Sequence, residues 1–186
     1  MELVRPTLEH LPSYLAARER GFSFDFRTDP ESIAALTAKI KADPEAFING
    51  VEDLNPVGRT VPLPDGTEVP RLPQYTRWMW DGEFAGVITF RWQRGTTDLP
   101  PTCHGHIGYA VVEWKRRLGY ASQALHDILD LPREEGLPFV DITTTPDNLG
   151  SQQVMLNNGA VYVDQYINEQ AHDPSHNLLN RYRITL

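Results

Sequence analysis

Residues 75–92 carry the pattern of a long β-hairpin. β-Branched and aromatic side chains fill both arms, and Asp81-Gly82 between them is a dipeptide that two-residue hairpin loops favour. Gly86, inside the second arm, predicts a bulge. The hairpin therefore predicts an antiparallel sheet, which needs other elements to cover its apolar face.

Helical and strand-like patterns alternate on both sides of this hairpin. A short strand at 3–6 comes first, and we expect Thr7 to cap a helix that Gly21 ends. Asp29-Pro30 begins a second helix, which should end before Asp43. After the hairpin we expect a strand at 106–112, a helix at 120–131, a strand at 139–144, a helix at 149–157, and strands at 160–167 and 179–186. This order predicts an α+β (mixed α/β) fold with a mainly antiparallel sheet flanked by helices.

A proline-rich stretch at about 50–73 interrupts the regular pattern. Its prolines are too many for a central strand or a helix. Asp65-Gly66 has the character of a hairpin turn, so the stretch is either an edge ribbon over the core or a loop. We expect one domain over 1–186 with this stretch as an insertion, and a lid or a dimer contact are both open roles for it.

Charge and cysteine content narrow the class of protein. The 186 residues include 17 Lys and Arg against 25 Asp and Glu, a net charge of -8, which argues against a nucleic-acid partner. The lone Cys103 makes no intramolecular disulfide and fits a reducing cytosol. The sequence has neither a signal-peptide pattern nor a long apolar run, so we expect a cytoplasmic protein without a membrane partner.

The junction between the strand at 106–112 and the helix at 120–131 is the most informative segment. Three cations, Lys115 to Arg117, precede Gly119, which lets a ligand approach the backbone closely. The helix that follows offers unpaired N–H groups and the positive end of its dipole. Such a junction suits a pyrophosphate. The alternative is a solvated charge run followed by a turn glycine, because short glycine loops are weak signals.

Four motifs in this half of the chain carry a resemblance. Residues 116–121 match the pattern [QR]-x-x-G-x-[GA], and 105–111 precede them as a strand. Downstream, 147–151 and 157–160 match an N-x-x-S segment and an Asn-Gly segment. In this order the motifs resemble the GNAT superfamily of acyl-coenzyme A dependent N-acyltransferases. The 105–111 strand looks like that of the branch which includes the ribosomal-protein N-terminal acetyltransferases. The resemblance covers nearly the whole chain.

The resemblance implies a fold and a set of cofactor contacts. It implies about seven central strands, of which the fourth and fifth splay apart to admit acetyl-coenzyme A. The pantetheine arm would pair with backbone groups of Tyr109, Ala110, Val111 and Val112. The pyrophosphate would lie on the loop formed by Arg116, Arg117, Leu118, Gly119, Tyr120, Ala121 and Ser122. Asn148 and Ser151 would contact the far side of the cofactor.

The sequence departs from the family pattern in three places. Glu113 stands where many members have proline, and Arg117 where many have glycine, which predicts a stiffer or more cationic loop. Met155 stands where many members have the tyrosine that protonates the leaving thiolate. That role is therefore unassigned.

The acceptor amine needs a proton acceptor before it attacks a thioester carbonyl. His106 lies at the start of the strand that leads to the cofactor loop, where the related branch has a glutamate, and histidine titrates in the useful range. We therefore predict His106 as the catalytic residue. The structural alternative is a histidine bonded to a neighbouring carbonyl, and His104 is the weaker second candidate.

Other side chains favour structural roles. His172 and His176 have a metal-like spacing, but Pro174 between them breaks a helix, so we expect a solvated loop and no metal. Cys103 beside His104 lacks any second sign of a cysteine nucleophile. The aromatic residues on the hairpin should form core and sheet faces; they are Trp78, Trp80, Phe84, Phe90 and Trp92.

The function expected from the resemblance is transfer of an acetyl group from acetyl-coenzyme A to a primary amine in a ternary complex. Two alternatives are open: a cofactor-binding sensor without turnover, for which Met155 is the reason, and a transferase for another acyl donor such as succinyl-coenzyme A. The acceptor would be a small-molecule or peptide amine. An acidic surface favours a cationic one. The protein would be a monomer or a homodimer.

Overall fold

The computed structural model describes residues 1–24, 29–62, 66–168 and 177–186. Its helices are α1 (Leu11–Glu19), α2 (Pro30–Ala42), α3 (Pro44–Val51), α4 (Tyr120–Ile128), α5 (Asp130–Glu134) and α6 (Leu149–Asn157). Its strands are β1 (Glu2–Val4), β2 (Thr60–Pro62), β3 (Glu68–Pro70), β4 (Gln74–Trp80), β5 (Phe84–Arg91), β6 (Ile107–Val111), β7 (Phe139–Thr144), β8 (Val161–Ile167) and β9 (Leu178–Thr185). The elements alternate as the sequence predicts, which confirms the mixed α+β class.

Two antiparallel sheets build the centre of the fold. The first has the order β1-β4-β5-β6, and the second has the order β7-β9-β8. Within the described residues no ladder joins β6 to β7, although His106 N–H donates to the Asp141 carbonyl over 2.7 Å at the point where the sheets meet. Beyond this contact the two strands separate. They are the fourth and fifth of the seven central strands, so the predicted splay is confirmed.

Side-chain alternation divides the apolar residues between two faces. On one face, Ile88, Phe90 and Ile107 pack with residues of α4, α6 and the second sheet. On the other face, Trp78 and Val87 pack with residues of α1 and α2. The hairpin aromatics are buried as predicted, apart from Trp80, which is half-buried at the edge of the second cluster.

The predicted bulge lies next to Gly86. Met79 pairs with Gly86 and Trp80 pairs with Phe84, so Ala85 is the extra residue. Gly86 also lets β6 approach, because a Cβ built on it would lie 2.4 Å from the Ala110 carbonyl oxygen. The glycine is thus required by the packing of neighbouring backbones.

The helix boundaries differ from the sequence prediction in three places. Thr7 does not cap α1; its hydroxyl hydrogen bonds the His10 ring over 2.9 Å, and the helix begins at Leu11. Asp29 caps α2 as predicted, but a third helix, α3, follows because Asp43 accepts a hydrogen bond from the Ala46 N–H. The helix expected at 120–131 is divided into α4 and α5.

The proline-rich stretch contains a short ribbon, in which Val61 of β2 pairs with Val69 of β3. This confirms that the stretch pairs as a ribbon, although its two strands form a sheet of their own and are largely exposed; Asp65 of the expected turn lies outside the described residues. A separate bridge, Asp53 to Gln74, connects the end of α3 to β4. Among the helices described, none is both long and apolar enough to cross a membrane.

Candidate active site

The loop between β6 and α4 has a backbone shaped to receive an anion. Arg117 has φ +67° and Gly119 has φ +80°, both in the left-handed region that turns successive N–H groups to one side. α4 begins without a side-chain cap, so its first N–H groups stay available to a ligand. Arg116 and Arg117 are exposed beside it. The pyrophosphate contact of this loop stays a prediction.

Lys115, the first of the three cations, has a different role. It is buried, and its Nζ donates to Asp81 over 2.5 Å and to Glu83 over 2.8 Å. Tyr120, at the start of α4, donates its hydroxyl to the other Asp81 oxygen over 2.7 Å. Asp81 in the turn of the β4–β5 hairpin is therefore the common acceptor for the two ends of the segment 115–120, which contains the first part of the predicted pyrophosphate loop 116–122, here called the anion loop.

Asp81 is a site residue that the sequence analysis missed. Burial alone would raise the pKa of this carboxyl, but the hydrogen bonds from Lys115 and Tyr120 outweigh it and the pKa is lowered. Asp81 is consequently ionised near neutral pH. The available signal was an acid in a hairpin turn and a separate cation run, but only the fold brings these two together.

The edge of β6 that faces the splay corresponds to the predicted pantetheine contacts. β6 pairs with β5 on its other side, from Ile107 opposite Phe90 to Val111 opposite Gly86. Val112 lies past the strand, where its N–H donates to the Ala85 carbonyl and its carbonyl accepts from Lys115 N–H. Of the four residues predicted to bind the arm, Val112 is thus the least available.

Tyr109 and Ser151 meet across the splay. The two hydroxyl oxygens are 2.8 Å apart, and the Tyr109 hydroxyl is 3.2 Å from the Ser151 carbonyl. Burial raises the pKa of Tyr109 to about 12, although the hydrogen bond with Ser151 acts in the opposite direction. Asn148 accepts a hydrogen bond from the Ser151 N–H over 3.1 Å and so caps α6. Its side chain is therefore engaged in holding Ser151.

Asn158 connects the two helices that flank the splay. Its Nδ2 donates to the carbonyl and the hydroxyl of Ser122, both over 3.1 Å, and to the Val154 carbonyl over 2.8 Å. Ser122 belongs to the predicted cofactor loop, so this link fixes α4 relative to α6. Met155, at the position of the family tyrosine, is fully buried in the core and presents no group to the splay.

His106 lies at the vertex of the splay with 1% of its surface exposed. Its Nδ1 accepts the Asp141 N–H over 3.0 Å, so the neutral ring carries its proton on Nε2, which has no hydrogen-bond partner. Burial lowers the pKa of His106, and Asp141 and the backbone of Thr97 offset this only in part. In this tautomer the ring is a hydrogen-bond donor.

A cavity of about 530 Å³ opens beside His106, on the face of the sheets opposite α4 and α6. It is lined by the 97–104 loop and by residues of β7, β8 and β9. Two arginines in it are neutralised. Arg183 donates to both oxygens of Asp141, over 2.7 and 2.8 Å, and Arg181 donates to both oxygens of Asp164.

The other residues that the sequence offered as catalytic or metal-binding candidates do not form such a site among the described residues. His104 lies 3.4 Å from the Tyr166 hydroxyl, and burial lowers the pKa of His104. Cys103 lies 3.5 Å from the Gly105 carbonyl rather than against an imidazole. His172 and His176 lie outside the described residues. Within the described part of the chain, no group of three or more His, Cys, Asp or Glu side chains is placed to hold a metal.

Comparison with known proteins places this geometry in a family. The model of the acetyltransferase (GNAT) family matches residues 9–159. No curated protein sequence matches the chain.

Solved structures share the fold at low identity. The microcin C7 self-immunity acetyltransferase MccE, in complex with acetyl-coenzyme A and AMP, is 12% identical with a TM-score of 0.63, over 99% of this chain and 91% of that one. The ribosomal L7/L12 acetyltransferase RimL, in complex with coenzyme A, is 14% identical with a TM-score of 0.61, over 99% and 93%. Spermidine N-acetyltransferase SpeG from Vibrio cholerae is 11% identical with a TM-score of 0.57, over 100% and 95%. Since the family model spans most of the sequence, this protein belongs to the GNAT acetyltransferase family.

Proposed function

We propose that this protein is an N-acetyltransferase, which moves an acetyl group from acetyl-coenzyme A to a primary amine by direct attack in a ternary complex. The observation that carries the proposal is the anion loop 116–122, which the Asp81 carboxylate holds at the open end of the splay. Membership of the GNAT family supports the same reaction.

The donor would bind along the loop and the β6 edge. The pyrophosphate is received by N–H groups of Leu118, Gly119 and Ala121, with the exposed Arg116 and Arg117 adding charge-assisted hydrogen bonds. The pantetheine arm extends beside Tyr109–Val111 as an added strand. Backbone donors suit this purpose in an acidic protein because they hold an anion without adding net charge.

The transfer step forms a C–N bond and breaks the C–S bond of the thioester. The amine nitrogen supplies the electron pair, and the sulfur leaves as a thiolate with the electrons of the C–S bond. The proton that the amine loses passes through water to this thiolate, so the products are the amide and the free thiol. The Tyr109–Ser151 hydroxyl pair offers a hydrogen-bond donor between β6 and α6. Because the pKa of Tyr109 is about 12 and a cysteine thiol has a pKa of about 8.5, the pair stabilises the thiolate by hydrogen bonding and stays protonated.

The acceptor would enter from the cavity beside His106. The lowered pKa of His106 keeps the ring neutral, but its Nδ1 lone pair is engaged by the Asp141 N–H. With Nε2 protonated, His106 contacts the acceptor as a hydrogen-bond donor. Acting as the base instead would require the other tautomer, which would place two N–H groups against each other at Asp141.

Calorimetric titration with acetyl-coenzyme A tests the first half of the proposal. Arg117→Ala should weaken binding, while Arg133→Ala, which changes an exposed arginine on α5, should leave it unchanged. Absence of saturable binding at millimolar concentration would refute the proposal.

Release of free thiol with a panel of primary amines tests the second half and separates an enzyme from a sensor. Binding of acetyl-coenzyme A without thiol release for any amine favours the sensor alternative, for which the buried Met155 is the structural reason. Comparing acetyl- with succinyl-coenzyme A then decides the acyl donor.

A further inference from the structure

Two buried side-chain nitrogens in the described residues lack a hydrogen-bond partner, and they lie on neighbouring strands. They are Nε of Arg91 and Nε2 of His106. Arg91 stands opposite His106 across the β5–β6 pair, where the Arg91 N–H donates to the His106 carbonyl over 2.8 Å. Directly opposite residues of an antiparallel pair share a face. Both orphan groups therefore lie on the face that carries the cavity.

The guanidinium of Arg91 lies close to β6. Its Nη2 donates to the Thr89 hydroxyl over 3.3 Å, and a Cβ built on Gly108 would lie 2.8 Å from the same nitrogen. Gly108 thus provides the space for the guanidinium. This places the positive charge one residue from Tyr109, where the pantetheine arm is proposed to lie.

Unlike the two arginines that line the cavity, Arg91 has no carboxylate partner among the described residues. Arg181 and Arg183 each have a carboxylate partner, Asp164 and Asp141. Across the ranges that the structure describes, Arg91 forms no ion pair. A half-buried guanidinium without a counter-ion is costly unless a ligand supplies the charge.

His106 adds a second donor of matching character. Its Nδ1 is fixed by the Asp141 N–H, so the unpartnered Nε2 carries the proton. The two groups together present N–H donors and one positive charge. Such a pair is complementary to an oxygen anion, and guanidinium is especially suited to carboxylate and phosphate.

Resting on the proposed function, we infer that the acceptor carries an oxygen anion, a carboxylate or a phosphate, close to its amine. The anion accepts hydrogen bonds from Arg91 and His106 while the amine faces the thioester. Because Gly108 and Tyr109 are about 3.4 Å apart along the strand, amine and anion belong to one residue-sized unit. The acceptor is therefore of the amino-acid or aminophosphate kind, in contrast to the cationic amine favoured by net charge alone.

The test uses acceptors in pairs that differ in the anion: glycine with glycinamide, and phosphoethanolamine with ethanolamine. For the wild-type protein we expect kcat/KM at least tenfold higher for the anionic member, after correction for the fraction of neutral amine. Arg91→Gln should remove this preference through KM and leave the affinity for acetyl-coenzyme A unchanged. The matched control is Arg94→Gln, an exposed arginine that donates to the Leu54 carbonyl. The more active pair distinguishes carboxylate from phosphate.

A binding experiment makes the inference independent of turnover. N-Acetylglycine should bind the protein loaded with coenzyme A more tightly than N-acetylglycinamide, and Arg91→Gln should abolish the difference. Equal binding of the two, no binding of either, or a preference that survives Arg91→Gln would overturn the inference. Failure to bind acetyl-coenzyme A or to release thiol would instead count against the proposed function.

Discussion

The hydroxyl of Tyr120, the first residue of α4, donates a hydrogen bond to Asp81 in the turn of the β4–β5 hairpin over 2.7 Å. Lys115 donates to the other oxygen of the same carboxylate. The four residues between the two donors, 116–119, form the first part of the anion loop, so a turn remote in sequence sets its shape. A loop that is already held at both ends has less conformational entropy to lose when it binds a ligand, so it is preorganised for binding.

Asp81→Asn should weaken acetyl-coenzyme A binding by about tenfold, since hydrogen bonds to charged groups contribute about 1.5–3 kcal/mol and the amide retains part of the contact. Calorimetric titration measures the effect. Asp130→Asn, at an exposed carboxylate paired with Arg133, is the control and should bind normally. Equal affinities of the two variants would show that the hydrogen bonds from Lys115 and Tyr120 to Asp81 do not shape the loop.

The same carboxylate predicts a pH dependence of stability. The pKa of Asp81 is lowered in the folded protein, so its contribution is present above the unfolded value of about 3.9 and is lost as pH falls through the folded value. The pKa of Lys115 is raised: burial opposes this, but the hydrogen bonds with Asp81 and Glu83 prevail. The Lys115 contribution is therefore lost only as pH rises through that raised value. The difference in unfolding free energy between wild type and Asp81→Asn should be constant near neutrality and shrink in acid, as urea titrations at several pH values would reveal.

Arg117→Gly separates backbone strain from charge in the loop. Because Arg117 has φ +67°, glycine should raise the free energy of unfolding by about 1 kcal/mol and still weaken cofactor binding by removing a cation. Arg116 has φ -65°, so Arg116→Gly should lower stability by about 0.5–1 kcal/mol. Chemical denaturation measures the change in unfolding free energy, and calorimetric titration measures the change in cofactor affinity. A loss of stability in Arg117→Gly would contradict the assignment of strain.

Tyr109→Phe should lower kcat by roughly 10- to 100-fold, because a hydrogen bond to a charged group such as the thiolate contributes about 1.5–3 kcal/mol, with little change in the affinity for acetyl-coenzyme A. Ser151→Ala should act on the same step, and the double variant should be no worse than the more damaged single one. Since the pKa of Tyr109 is about 12, neither hydroxyl should introduce an ionisation into the rate profile near neutral pH. Additive losses in the double variant would argue for separate roles.

Gly86→Ala tests the close approach of β5 and β6. The added Cβ would lie 2.4 Å from the Ala110 carbonyl, a backbone atom that cannot rotate away, so a destabilisation of about 1–3 kcal/mol or more is expected. Gly50→Ala is the matched control, because nothing lies within 4 Å of its Cβ and α3 should gain about 0.5–1 kcal/mol. Thermal unfolding of both variants measures the contrast.

Local patterns predicted β7 and α6 at the residues where the structure has them, because each is bounded by strong turn or cap signals. The prediction failed where a neighbour in space competes with a local rule. The Thr7 hydroxyl forms a hydrogen bond with the His10 ring, and α1 begins at Leu11 instead. Asp43 ends α2 and also caps α3. Capping propensities name suitable residues, but side-chain partners decide which one caps.

The sequence by itself predicted most of the order of elements, a loop suited to a pyrophosphate, and a resemblance to the GNAT family that the match to the family model confirms. Only the tertiary structure decided which charged side chains form ion pairs with each other. In the folded protein Lys115 forms an ion pair with Asp81, and Arg181 and Arg183 form ion pairs with carboxylates. Arg91, beside His106, has no ion-pair partner among the described residues. The physical reason is that a hydrogen bond or ion pair depends on distances between strands far apart in the chain, which local periodicity does not encode.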